Sequence, residues 1–120
     1  MTIRRISSGS PFETKVGYCR AVVAGGFVHV AGTVGQGDTV VEQCRSALDI
    51  INTALTRAGA GFADIVRVTY MLPDRTEFKA CWPVLAQTFG DNPPAATMIE
   101  CGLIDPQYRI EIEVTALLPD

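Results

Sequence analysis

The residues with most chemistry to offer lie near the C-terminal end. Arg109-Ile-Glu-Ile-Glu113 sets Glu111 and Glu113 two apart in a run where charged and apolar side chains alternate. A period of two marks a strand with one buried face. Ile110, Ile112, Val114 and Ala116 therefore point one way, and Arg109, Glu111, Glu113 and Thr115 the other. A carboxylate partly withdrawn from water titrates above its usual range and can move a proton near neutral pH. Glu111 is the candidate for that role. The competing reading is a glutamate paired with an arginine across an interface. Glu113 and Glu100 read as structural.

Other reactive types offer less. His29 is the single histidine and sits in an apolar run, which reads as structural. Cys19, Cys44, Cys81 and Cys101 are widely spaced, form no C-x-x-C pair, and read as reduced core thiols. With one histidine and no paired cysteines, neither a metal site nor a cofactor is expected. Gly32-Thr-Val-Gly-Gln-Gly37 is glycine-rich but lacks the Lys-Ser/Thr pair of a phosphate loop.

The elements that must position these residues are legible. Thr39-Val-Val-Glu42 has the form of a capping box, and Val41, Cys44, Leu48, Ile51 and Leu55 follow at helical spacing up to Gly59. This predicts a helix over 39–58. A second helix is predicted from Asp74-Arg-Thr-Glu77, with Phe78, Cys81, Trp82, Leu85 and Phe89 as its apolar face and Gly90 at its end. Pro83 falls inside it, which predicts a kink or a restart at Trp82. Strands are predicted over 18–24 and 27–31, joined by the turn Gly25-Gly26, then over 64–72, 96–103 and 108–118, with a weaker one near 3–6. The order β-β-β-α-β-α-β-β describes an α+β domain, a mixed sheet with both helices on one face. Tyr18, Arg20, Phe27, His29, Arg67 and Thr69 join the polar sheet face, which is either solvated or a subunit interface.

Composition narrows the function classes. The 120 residues are 48% hydrophobic and 19% charged, as in one globular domain spanning 1–120. A chain this short buries only about two-thirds of its unfolded surface, so self-association would help it. Ten basic and thirteen acidic residues give a net charge of −3, with no basic run longer than Arg4-Arg5. Nucleic acid is not expected as the main partner. No signal peptide or membrane-spanning run is apparent, and the expected location is the cytoplasm.

Four segments together carry a family resemblance. They are Gly17-Tyr-Cys-Arg-Ala-Val, Val28-His-Val-Ala-Gly-Thr33, Asp64-Ile-Val-Arg-Val-Thr-Tyr-Met-Leu, and Pro94-Ala-Ala-Thr-Met-Ile-Glu100 with Arg109-Ile-Glu-Ile-Glu113. In this order they resemble the RidA/YjgF family over nearly the whole chain. The resemblance implies a chorismate-mutase-like fold, a homotrimer, and three small-molecule clefts between subunits. It also implies hydrolysis of imines or enamines derived from amino acids, releasing ammonia.

Carried over by position, the family's pocket tyrosine is Tyr18, its hairpin glycine is Gly32 and its strand glutamate is Glu111. The serine before that glycine is Ala31 here. The arginine that grips the substrate carboxylate falls on Ala96, and the pocket residue two beyond it is Met98. A methyl group cannot offset the desolvation of a carboxylate, so ordinary α-imino acids are expected to bind poorly unless Arg20, Arg67 or Arg109 supplies the charge. Two functions follow: a small-molecule hydrolase of C–N bonds with a non-standard substrate, or a non-catalytic trimer binding a metabolite or partner in its cleft.

Overall fold

The computed structural model describes residues 2–120. Its elements run β1 (Arg4–Ile6), α1 (Pro11–Val16), β2 (Ala21–Ala24), β3 (Phe27–Val34), α2 (Val40–Ala58), β4 (Ile65–Leu72), α3 (Phe78–Phe89), β5 (Ala95–Glu100) and β6 (Glu111–Leu117). The strands form one mixed sheet in the order β1-β2-β3-β6-β4-β5, in which β4 and β5 run parallel and the other paired neighbours antiparallel.

The local signals at the ends of α2 and at the hairpin turn act as expected, except that Glu42 accepts the Thr39 hydroxyl instead of its backbone N–H. Thr39 caps α2 by accepting the Glu42 N–H at 3.1 Å, and Gly59 closes the helix in the left-handed region at φ 94°. Gly25 and Gly26 both have positive φ, 58° and 84°, and pair Ala24 with Phe27 across a two-residue turn. Ile110, Ile112, Val114 and Ala116 are all buried, beneath an α2 studded with Cys44, Leu48, Ile51 and Leu55. The α3 helix joins the same core through Phe78, whose ring lies 5.1 Å from that of Tyr70 on β4. Among the described residues no helix is long and apolar enough to cross a membrane.

Several expectations require correction. A short third helix, α1, stands between β1 and β2, so the order is β-α-β-β-α-β-α-β-β. Ser10 caps it, Pro11 opens it and Gly17 ends it at φ 88°. The N–H of Tyr18 goes to the carbonyl of Glu13 at 3.1 Å, and β2 therefore starts at Ala21 instead of 18. Asp74 caps a 3₁₀ turn, Arg75–Glu77, and α3 begins at Phe78 instead of restarting at Trp82. Pro83 is tolerated because it and Lys79, whose carbonyl loses its helical donor, are both on the exposed side of α3. Trp82 is 52% exposed, since Cys81, Val84, Leu85 and Phe89 take the core positions. Only Cys44 and Cys81 are core thiols, Cys19 and Cys101 being half-buried. A hydrogen bond with Cys81 and burial push the Cys44 thiol up, which keeps it protonated.

A glutamate folded over a glycine bulge

The site begins with an irregularity. In the β3–β6 ladder Val30 faces Val114 and Thr33 faces Ile112, so Ala31 and Gly32 together oppose Glu113. That extra residue is a β-bulge, which turns the strand and re-aims its neighbours. At Gly32 it leaves the space of a side chain open, and the Glu111 carboxyl fills it. A Cβ built on Gly32 would stand 2.0 Å from Oε2 of Glu111.

Arg20 holds the other side of the bulge. Its carbonyl accepts the Ala31 N–H at 2.9 Å, and its Nη2 donates to the Gly32 carbonyl at 2.6 Å. The guanidinium carbon lies 5.8 Å from the centre of the Tyr18 ring, within cation–π range. Tyr18, Arg20, Gly32 and Glu111 thus form one cluster. Tyr18 also borders a surface groove of about 520 Å³ between α1 and the β1–β2 edge.

Burial raises the Glu111 carboxyl above the usual carboxylate range, the charge of Glu113 raises it further, and Arg20 works in the opposite direction. Glu111 accepts no hydrogen bond from the chain among the described residues, and its oxygens are not sealed from solvent. A carboxyl of this kind can take a proton from water and return it to a leaving nitrogen.

Ala96 and Met98 are elsewhere. On β5, Ala96 pairs with Val68 and Met98 with Tyr70, and Met98 packs on the helix-side core. Glu111 pairs with Met71, whose neighbour on β5 is Ile99. Paired residues share a face, so within one chain Ala96 and Met98 lie two strands away from Glu111 and on the opposite side of the sheet. The expected five-residue site is therefore split. The other two arginines have partners of their own within the chain. Arg67 donates to Thr97 at 3.2 Å on the open face, and Arg109 precedes β6 and reaches Glu77 at 3.6 Å.

His29, Arg67, Thr69, Glu113 and Thr115 line a shallow depression of about 220 Å³ on that open face. His29 is exposed there, stacks on Phe27 and lies 3.3 Å from Thr115. Arg20 was one of three arginines the sequence offered, and its contact with Gly32 was not legible because the bulge is set by the β3–β6 pairing. Gly32 did carry a signal, since an isolated glycine inside a strand marks a bulge or a close approach.

Comparison with known proteins places this arrangement. A family model described as Endoribonuclease L-PSP matches residues 9–118, almost the whole chain. The crystal structure of a YjgF/YER057c/UK114 family member from Mycobacterium tuberculosis superposes with a TM-score of 0.94 and 43% identity, covering 98% of this chain and 100% of that one. The chain belongs to the RidA/YjgF family. Among other RidA/YjgF relatives, a RutC family protein of Pyrococcus horikoshii is 32% identical over 108 residues, 82% of this chain and 85% of its own length. A 2-iminobutanoate/2-iminopropanoate deaminase of Capra hircus is 29% identical over 124 residues, 96% of this chain and 90% of its own length. The α+β architecture with a six-stranded mixed sheet is that of the RidA/YjgF fold.

Proposed function

We propose that this RidA/YjgF protein hydrolyses the C–N bond of a small imine or enamine, with Glu111 handling the water and its proton. The observation that carries this reading is the half-buried Glu111 carboxyl, raised in pKa and unengaged by the chain, folded over Gly32. Ionised Glu111 takes a proton from water as the oxygen bonds to the imine carbon. The C=N π electrons pass to nitrogen, which takes that proton from Glu111 and leaves the carboxylate ionised again. In the collapse of the carbinolamine Glu111 takes the hydroxyl proton and passes it to the nitrogen, the oxygen electrons form the carbonyl, and the C–N bond breaks to release ammonia. Relatives bearing the name 2-iminobutanoate/2-iminopropanoate deaminase support the reaction class.

The working unit in this reading is a homotrimer with its clefts between subunits. Glu111 and Gly32 lie on one face of the sheet and Ala96 and Met98 on the other. One pocket can hold all four only if two copies contribute. With alanine at position 96, the substrate is not held at the place used by the family's arginine.

The test is ammonia release from freshly generated imines and enamines, wild type against Glu111→Gln. A loss of about 100-fold or more is expected for a group that moves the proton. Unchanged activity sinks the catalytic assignment. The second reading, a non-catalytic binding trimer, is favoured by Ala31 and Ala96 standing where the family has serine and arginine. Ligand-induced melting shifts without turnover would select it. The acidic balance and the absence of a basic run longer than two residues speak against a ribonuclease role for this chain.

A further inference from the structure

We propose that Arg20 is the anion-recognising residue of this site, holding a carboxylate or similar planar anion of the substrate from the Gly32 side of Glu111. The inference deepens the proposed function and takes its location from it, but it stands on separate observations.

A guanidinium presents five N–H donors in a rigid fork. In Arg20 the described structure engages one nitrogen, the Nη2 that donates to the Gly32 carbonyl. Its Nε is buried and finds no acceptor among the described residues. A buried donor left unpaired is costly, so a structural arginine ordinarily meets a carboxylate or several carbonyls. Arg20 does neither. Among the described residues the one ion pair joins Arg109 to Glu77.

The surrounding charges sharpen the point. Glu13 and Glu111 both feel the field of Arg20, yet neither pairs with it. Glu13 is occupied by the backbone N–H and hydroxyl of Ser8. Glu111 lies in the notch over Gly32. Among the described residues the half-buried cation therefore has no ion-paired carboxylate.

The cation is also held in place. Hydrogen bonds at its own carbonyl and at Nη2 tie Arg20 to both residues of the bulge, and the Tyr18 ring flanks it. A fork fixed in advance loses little entropy on binding, which suits bidentate capture of a carboxylate. The bulge that makes room for Glu111 thus also anchors Arg20, and spacing between anion and reacting carbon is set by one backbone feature.

The experiment measures binding apart from turnover. The full-length protein is titrated calorimetrically with 2-oxobutanoate and with its neutral amide, 2-oxobutanamide. The wild type should prefer the carboxylate by about ten-fold or more, as a charged hydrogen bond implies. Arg20→Gln should erase that preference and leave amide affinity unchanged, while Arg20→Lys retains part of it. Glu111→Gln should keep the preference. Parallel loss of both affinities in Arg20→Gln shows a positioning role and overturns the proposal, as does a preserved preference. If Arg20→Gln does not fold, the wild type decides. A carboxylate preference that weakens with added sodium chloride supports the proposal, and no preference overturns it. Turnover by Glu111→Gln would undo the catalytic reading without touching this one.

Discussion

Oε2 of Glu111 occupies the place where a side chain on Gly32 would begin, 2.0 Å from an ideal Cβ. The two residues are far apart in sequence and are brought together by the β3–β6 bulge. Gly32 is not in the left-handed region, so its backbone accepts alanine without strain. Only the flexible end of Glu111 must yield. Gly32→Ala should therefore fold with stability within about 1 kcal/mol of wild type. Displacing the carboxyl by an ångström or more should cost about 10²-fold in activity. Thermal melts and ammonia release together check this, and an active Gly32→Ala enzyme would remove Glu111 from the mechanism.

Gly35 makes the contrasting case. A Cβ there would meet the Gln43 carbonyl at 2.4 Å and the Ala47 nitrogen at 2.6 Å, both α2 backbone. A helix cannot step aside as a side chain can. Gly35→Ala should lose about 1–3 kcal/mol or more, read as a lower urea midpoint.

The pH dependence of stability has a defined sign. Burial and Glu113 raise the Glu111 pKa in the folded state, so the folded chain holds more protons than the unfolded one as pH climbs past the ordinary carboxylate range. Stability falls across that window, and above it the ionised carboxylate remains a constant penalty. Glu111→Gln has no such penalty. Its melting temperature should exceed that of wild type at pH ~7 and converge with it near pH ~4, the unperturbed glutamate range. An advantage that grows on acidification would contradict this.

Gln43 is a buried polar bridge to the start of β6. Its amide donates to the carbonyls of Gly37 and Gln107 at 3.1 and 3.0 Å and accepts the Arg109 N–H at 2.8 Å. Gln43→Leu keeps the volume but leaves these backbone groups unpaired. A loss of about 2–3 kcal/mol is expected, with the urea dependence otherwise unchanged.

Ala96→Arg probes the between-copy cleft. In the proposed trimer it returns a guanidinium to the place the family uses, and kcat/KM for 2-aminoacrylate should rise about ten-fold. No gain in a variant with wild-type melting behaviour would mean that β5 does not border the cleft.

The sequence by itself determined everything written in short-range chemistry. Thr39 and Gly59 bound α2 because capping needs only neighbouring backbone groups. Gly25-Gly26 makes the hairpin because two positive φ angles are steric properties of two residues. The alternation from Ile110 to Ala116 separates core from open face, and the four family segments identify RidA/YjgF across nearly the whole length. Ser10, Pro11 and Gly17 carried α1 in equally local form, although six residues make a weak periodic signal.

Tertiary structure decided which strand lies beside which, and on what side. Period two tells that Ala96 and Met98 share a face and that Glu111 and Glu113 share one, but not whether those faces coincide. Registry with β4 answers it, through hydrogen bonds between uniform backbone groups that leave no mark on side-chain pattern. The same holds for the bulge, which brings Arg20 and Glu111 to one glycine from opposite sides.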